Sequence, residues 1–151
     1  TYSPSVSPTS VLIEAARQRY GYAVLVDCHS MPSTIVGQPH TARPHMVLGD
    51  RFGGSCDARL TRLVRSALAG MNYDVQLNRP YAGGFITEHY GNLRQGVHSI
   101  QIEINRALYM DEDRLEKLRS FDTLAASLER LIGRLVSDAA MLGSATPLAA
   151  E

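Results

Sequence analysis

The sequence lacks any long apolar segment and is poor in cysteine. No run approaches the ~18 consecutive apolar residues of a membrane-spanning helix, so nothing in it predicts a membrane protein. The two cysteines, Cys28 and Cys56, are too few for a disulfide framework and stand in different contexts. We therefore interpret both as free thiols, and this predicts a cytoplasmic protein.

The sequence also lacks an excess of either charge. Lys plus Arg is 15 and Asp plus Glu is 15, so the formal net charge is +0. This balance gives no reason to expect a nucleic-acid or membrane partner. Lysine itself is nearly absent, since Lys117 is the single lysine among the basic residues. Arginine, which replaces it, suits fixed recognition of carboxylates.

The periodicity of apolar residues predicts one layered domain over 1–151, long enough for a sizeable core and without internal repeats. Helices are predicted from a cap at 7–10 to a stop at Gly21, and over 57–69, 111–119 and 122–142. Strands are predicted over 22–27, 46–49, 73–77, 85–87 and 97–104. This alternation is typical of an α/β fold, with a mostly parallel or mixed sheet flanked by helices.

The first predicted strand ends in the polar residues Asp27-Cys28-His29-Ser30. Asp27 and His29 are two positions apart, so they share a face if the strand continues. Imidazole is a common zinc ligand, and a nearby carboxylate often orients it. The alternative is a strand-end histidine bonded to the backbone. Cys28 should point to the opposite face, so we expect a small core residue there, not the partner of a Cys-His nucleophile.

The last predicted strand carries Glu103 between two isoleucines. Ile100, Ile102 and Ile104 face one way, whereas Ser99, Gln101 and Glu103 face the other. Beside a metal-activated water, Glu103 could act as a general base. The alternative is an ion pair with Arg106 or another arginine.

Two polar loops complete the candidate set. Residues 78–84 combine Asn78, Arg79 and Tyr81 with two glycines, and can be a ligand-binding loop or only a tight turn. Residues 50–53 resemble a turn more than a site. The remaining histidines are expected to be solvated loop residues: His40, His45, His89 and His98.

Together these segments resemble the N-formylglutamate amidohydrolase (N-formylglutamate deformylase) family. The resemblance lies in blocks that occur in the family's order and cover most of residues 22–112. The blocks are DCHSMPS at 27–33, VLGDRFG at 47–53, NRPYAGG at 78–84, TEHYG at 87–91 and GVHSIQIEINRALYM at 96–110.

The resemblance implies a fold related to the zinc carboxypeptidases (the phosphorylase/hydrolase-like fold). It implies a zinc-dependent hydrolase that cleaves N-formyl-L-glutamate to formate and L-glutamate, a last step of histidine breakdown. In that family pattern His29 matches a zinc ligand and Glu103 matches the general base.

Such a substrate carries two carboxylates, so we expect at least one arginine to bind it. Arg79 is the first candidate, followed by Arg106 and Arg51. Asn78 and Tyr81 are expected to add hydrogen bonds.

The family pattern also has an amino-terminal segment with the early metal ligands, and this sequence begins after it. We therefore expect a carboxyl-terminal part of the domain, in which His29 alone cannot complete a zinc site. An unpaired sheet edge would then invite homo-oligomers. Two alternatives stay open: a zinc amidohydrolase for another N-acyl amino acid, and a non-catalytic remnant that binds no metal.

Overall fold

The computed structural model describes residues 7–34 and 43–142, so His40 and the tail from Gly143 lie outside the described residues. The helices are α1 Pro8–Tyr20, α2 Ala58–Ala69, α3 Phe85–Tyr90 and α4 Phe121–Asp138. The strands are β1 Ala23–Met31, β2 Met46–Gly49, β3 Val75–Leu77, β4 Val97–Asn105, β5 Met110–Asp111 and β6 Glu116–Lys117. Short 3₁₀ turns follow at Leu93–Gln95, Arg106–Leu108 and Ala139–Leu142.

The main sheet is mixed, in the order β1-β4-β2-β3. β1 runs parallel to β4 and β2 runs parallel to β3, but β2 and β4 are antiparallel. This confirms an α/β fold with a mixed sheet flanked by helices. The apolar sequence of β1 predicts a strand that is buried on both faces. In the structure β1 has one neighbour among the described strands and is only half-buried.

β4 is the centre of the fold, and all nine of its residues are buried. Its isoleucines, Ile100, Ile102 and Ile104, share one face with Met46 and Leu48 of β2. That face packs on the apolar sides of α2 and α4 through Leu60, Val64, Leu68, Leu124, Leu131 and Leu135. The predicted alternation along β4 is therefore confirmed. The opposite face of the strand carries its polar side chains.

The predicted helix caps are present. Ser7 Oγ accepts a hydrogen bond from the Ser10 amide at 3.1 Å, and Gly21 ends α1 with φ +80°. α2 begins at the Asp57 cap. No residue of α1 is buried, however, and Val11 and Leu12 are 54% and 72% exposed. The apolar stripe of α1 therefore does not contribute to the core.

Two predicted elements are wrong. The expected strand at 85–87 is the start of helix α3, whose first turn is closed by the Glu88 amide donating to the Gly84 carbonyl at 3.2 Å. The expected helix at 111–119 is the β5-β6 hairpin. There Asp111 Oδ1 accepts from the amides of Asp113 and Arg114, both at 3.0 Å, and the chain turns where a helix would start.

Two predicted side-chain environments are also wrong. Cys28 points away from the Asp27 face as expected, but it is exposed because β1 lies at an edge of the described sheet. His98 is buried at 5% exposure on β4, not solvated. Its Nδ1 accepts from the Asp57 amide at 3.2 Å. Burial lowers the pKa of His98, the Asp57 carboxylate opposes this shift and Arg59 adds to it.

The buried His98 should make folding sensitive to acid. Because its pKa is lowered in the folded state, the unfolded chain takes up the proton first, and stability is lost as pH falls below about 6.5. A His98→Gln variant should show a flatter dependence of unfolding free energy on pH in that range, measured by urea denaturation. His89→Gln, which changes an exposed histidine, is the control. Equal slopes for wild type and His98→Gln would contradict the assignment.

Candidate functional site

The pairing of β1 with β4 brings the predicted catalytic residues together. In the parallel register Asp27 lies opposite Gln101, and His29 lies opposite Glu103. All four share the face of the sheet that does not carry the isoleucines. The His29 Nδ1 atom lies 4.0 Å from Glu103 Oε1, and its Nε2 lies 3.2 Å from Asp27 Oδ1. β1 continues to Met31, which keeps Asp27 and His29 on one face.

Glu103 is a buried carboxylate, 7% exposed. Gln101 Nε2 donates to its Oε1 at 3.0 Å. The ion pair with Arg106 that the sequence left open is not formed, because Arg106 lies 3.9 Å from Glu112 instead. Burial raises the pKa of Glu103 and the Asp27 carboxylate adds to this, whereas His29, Arg106 and Arg43 act against it. A raised pKa is what a general base or acid near neutral pH needs.

Asp27 and His29 form an exposed imidazole beside a mostly buried carboxylate. The side chain of His29 is 50% exposed and that of Asp27 is 13% exposed. Asp27 Oδ2 is buried and has no hydrogen-bond partner among the described residues. A carboxylate held beside one imidazole nitrogen leaves the other nitrogen available as a ligand.

These residues do not by themselves build a complete metal site. Within 7–34 and 43–142, no group of three or more His, Cys, Asp or Glu side chains is placed to hold a metal ion. Protein zinc sites use three or four ligands. The described part of the chain therefore offers His29 as one imidazole ligand with carboxylates close by, and no more.

Arg106 lies at the ends of the same two strands. Its Nε donates to the Ser30 hydroxyl at 3.3 Å, and its side chain is half-exposed beside Glu112. Glu112 also accepts from the Ser33 amide at 3.0 Å. Arg106 is thus near the site, but a carboxylate of the protein already faces it.

Asn78 acts in a turn. Its Oδ1 accepts from the Asp50 amide at 3.0 Å and its Nδ2 donates to Asp50 Oδ1 at 2.8 Å. Asp50 Oδ1 also accepts from the Gly53 amide, and Oδ2 accepts from the Thr61 hydroxyl. The buried Asp50 therefore ties loop 78–84 to the 50–53 turn and to α2. This geometry supports the turn interpretation of residues 50–53.

The other predicted substrate contacts are dispersed. Arg51 makes an ion pair with Glu88 at 3.2 Å. Arg79 is exposed and makes no hydrogen bond or ion pair with the rest of residues 7–34 and 43–142. Tyr81 Oη accepts from Arg43 Nη1 at 2.6 Å, and the Arg43 guanidinium carbon lies 5.6 Å from the centre of the Tyr81 ring.

Arg43 is the residue that sequence reasoning missed. Its charge acts on Glu103, and it precedes β2 at the sheet end where β4 finishes. The signal available in the sequence was an arginine three residues before a strand, in a chain where arginine is the main cation.

Loop 78–84 packs closely on the sheet. A Cβ atom on Gly49 would stand 2.4 Å from the Gly83 amide nitrogen, so only glycine fits this approach. Gly49 lies opposite Gln101 in the register. The loop that carries Tyr81 therefore lies over the polar face of β4 at Ala82 and Gly83.

Comparison with known proteins gives a consistent picture. A family model described as N-formylglutamate amidohydrolase matches residues 9–110. N-formylglutamate deformylases of Pseudomonas aeruginosa and Pseudomonas putida are 39% and 35% identical over 97 and 101 residues, which is 64% and 66% of this chain. These matches cover 36% and 38% of the two relatives, so the chain spans well under half the length of the curated relatives it matches.

Solved structures agree with this. The crystal structure of an N-formylglutamate amidohydrolase from Ralstonia eutropha JMP134 matches 82% of the chain and 46% of its own, at 35% identity and a TM-score of 0.76. A gene product of Agrobacterium tumefaciens matches 85% of the chain and 48% of its own, at 25% identity and a TM-score of 0.59.

The raised pKa of Glu103 has a consequence for stability. The folded protein keeps the proton over a pH range in which the unfolded chain has lost it, so stability falls as pH rises through that range. Glu103→Gln removes this loss. We expect its melting temperature near neutral pH to be higher than that of wild type.

The measurement is calorimetry of wild type and variant from acid to neutral pH. Glu129→Gln, an exposed carboxylate on α4, should follow wild type. A Glu103→Gln variant that is less stable near neutral pH and approaches wild type in acid would show instead that the ionised carboxylate is stabilised by its surroundings.

Proposed function

The chain belongs to the N-formylglutamate amidohydrolase family, and on that premise we propose that it carries part of the site that hydrolyses N-formyl-L-glutamate to formate and L-glutamate. The observation that supports this most is the register of β1 on β4, which places His29 within 4.0 Å of the buried Glu103. The substrate class comes from the names of relatives that are considerably longer than this chain.

In the proposed reaction Glu103 is the general base. It takes a proton from water as the water oxygen bonds to the formyl carbon, and it delivers that proton to the amide nitrogen as the C–N bond breaks. The products are formate and the free amino group of L-glutamate. The buried position of Glu103 suits this role, because a carboxylate with a raised pKa can both accept and return the proton near neutral pH.

We propose His29 as one ligand of a zinc ion whose other ligands lie outside the described residues. Zinc, when bound, supplies Lewis-acid chemistry by acidifying water and polarising a carbonyl oxygen. Asp27 beside His29 Nε2 would hold the ring so that Nδ1, on the side of Glu103, is the nitrogen offered to the metal.

We also propose three further features that the family resemblance implies. They are the zinc carboxypeptidase-like fold, a place in histidine degradation and a cytoplasmic location. No described helix is both long and apolar enough to span a membrane. Homo-oligomerisation is also proposed, since β1 is a nine-residue strand with a single neighbour in the described sheet.

Two alternatives differ in what the chain would do. A related amidohydrolase would act on another N-acyl amino acid with the same Glu103 and His29 and different arginine contacts. A non-catalytic remnant would bind no metal, and the lack of a three-ligand group within the described residues favours it.

Metal analysis and turnover separate these possibilities. When residues outside 7–34 and 43–142 supply the other ligands, we expect about one zinc per chain by elemental analysis, and formate release from N-formyl-L-glutamate that is lost on dialysis against a chelator. Zinc-free protein of the correct intact mass and without turnover would support the remnant and contradict the proposal.

Glu103→Gln should lower kcat by about 10²- to 10⁴-fold, the usual contribution of a general base. Circular dichroism should show an unchanged fold, and Glu129→Gln should keep wild-type kcat. The base assignment is wrong if activity per folded molecule is unchanged in Glu103→Gln.

A further inference from the structure

Four arginines can be compared as candidates for binding a substrate carboxylate. Arg51 faces Glu88 at 3.2 Å and Arg106 faces Glu112 at 3.9 Å. A guanidinium that already faces a carboxylate of the protein is partly neutralised and attracts a second carboxylate less strongly. Arg79 is exposed, where water and salt screen its charge.

Arg43 differs from Arg51 and Arg106 in its direct contacts. Nη1 donates to the uncharged Tyr81 Oη at 2.6 Å, the guanidinium lies over the Tyr81 ring, and the acidic side chain that its charge influences is Glu103 of the candidate site itself. Its Nε is buried and donates to no acceptor among the described residues. Arginine has five N–H donors, and the contact with Tyr81 uses one of them. A buried donor without a partner, such as Nε, is costly unless a ligand satisfies it.

The backbone holds Arg43 at the catalytic end of the sheet. Asn105, the last residue of β4, donates from Nδ2 to the Pro44 carbonyl at 3.2 Å and from its amide to the His45 carbonyl at 3.0 Å. These bonds tie the segment after Arg43 to the strand that carries Glu103 two residues earlier. Arg43 and Arg106 both act against the burial that raises the pKa of Glu103, so both charges lie near the site.

We infer that Arg43, positioned by Tyr81, is the residue that binds a carboxylate of the N-acyl amino acid substrate. The inference rests on the proposed function and adds a specificity residue to it. A planar guanidinium with free N–H groups fits a carboxylate in a bidentate arrangement. Tyr81 acts as a positioning residue, because it holds the guanidinium through one N–H and leaves the others for the ligand.

The inference predicts a substrate-selective loss. Arg43→Met should lower kcat/KM for N-formyl-L-glutamate by roughly 10- to 100-fold, mainly through KM, as expected when a hydrogen-bonded charge pair is removed. Arg43→Lys should retain part of the activity. Arg65→Met, which removes an exposed guanidinium from α2, is the matched control and should keep wild-type values.

Two truncated substrates identify the carboxylate. N-formyl-L-glutamine lacks the side-chain charge, and 4-formamidobutanoate lacks the α-carboxylate. Arg43→Met should leave kcat/KM unchanged for the one that lacks the group bound by Arg43, and should lower it for the other. An equal loss on all three substrates would overturn the inference, because it would show a general structural role.

Calorimetric titration of L-glutamate separates this inference from the proposed reaction. Binding by wild type that weakens at least tenfold in Arg43→Met supports the inference even if no hydrolysis occurs, in which case the proposed function fails alone. Hydrolysis by wild type with unchanged KM and unchanged L-glutamate binding in Arg43→Met overturns the inference and leaves the proposed function intact. Wild type that neither binds L-glutamate nor hydrolyses the substrate overturns both.

Discussion

The parallel pairing of β1 with β4 is the constraint on which the candidate site depends. Side chains alternate between the two faces of a strand, so a shift of one residue would move His29 to the opposite face from Glu103. Val24 and Val26 of β1 oppose such a shift, because they pack against the core that contains the isoleucines of β4 and would turn to the other face. The apolar core thus fixes the polar face, and the placement of the candidate catalytic groups follows from hydrophobic packing.

The polar face itself is not arranged for stability. It buries Glu103 next to the Asp27 carboxylate and leaves Asp27 Oδ2 without a partner among the described residues. Two neighbouring acids and one imidazole with a limited number of hydrogen bonds raise the free energy of the folded state. Such clusters are more common in functional sites than in structural ones, and the family membership of the chain agrees with this view.

The loops around this face divide into supporting and functional parts. Asp50 is buried and accepts hydrogen bonds from Gly53, Thr61 and Asn78, so it holds the 50–53 turn and the start of loop 78–84 in place. From that fixed base the same loop carries Tyr81 to Arg43. Asn78 has a side chain that could bind a ligand, but it stabilises the turn instead. Tyr81 in the same loop contacts Arg43, the candidate ligand-binding arginine.

The sequence by itself determined the features that depend on local periodicity. Alternation placed Ile100, Ile102 and Ile104 on one face of β4 and Glu103 on the other, and caps and glycines gave the ends of α1 and α2 correctly. Local patterns failed where side-chain hydrogen bonds decided the outcome. At 111–119 the Asp111 carboxylate, which accepts from the amides of Asp113 and Arg114, favoured a turn over a helix.

Only the tertiary structure decided which groups meet. Strand order depends on contacts between residues far apart in sequence, so the adjacency of β1 and β4 and the edge position of Cys28 have no local signal. The burial of His98 does have one, because alternation places it on the face of Ile100. The contacts of the arginines have no local signal either. Arg51 and Arg106 are engaged by carboxylates of other segments, and Arg43 reaches Tyr81 across 38 positions of sequence, because the sheet brings these loops to one edge.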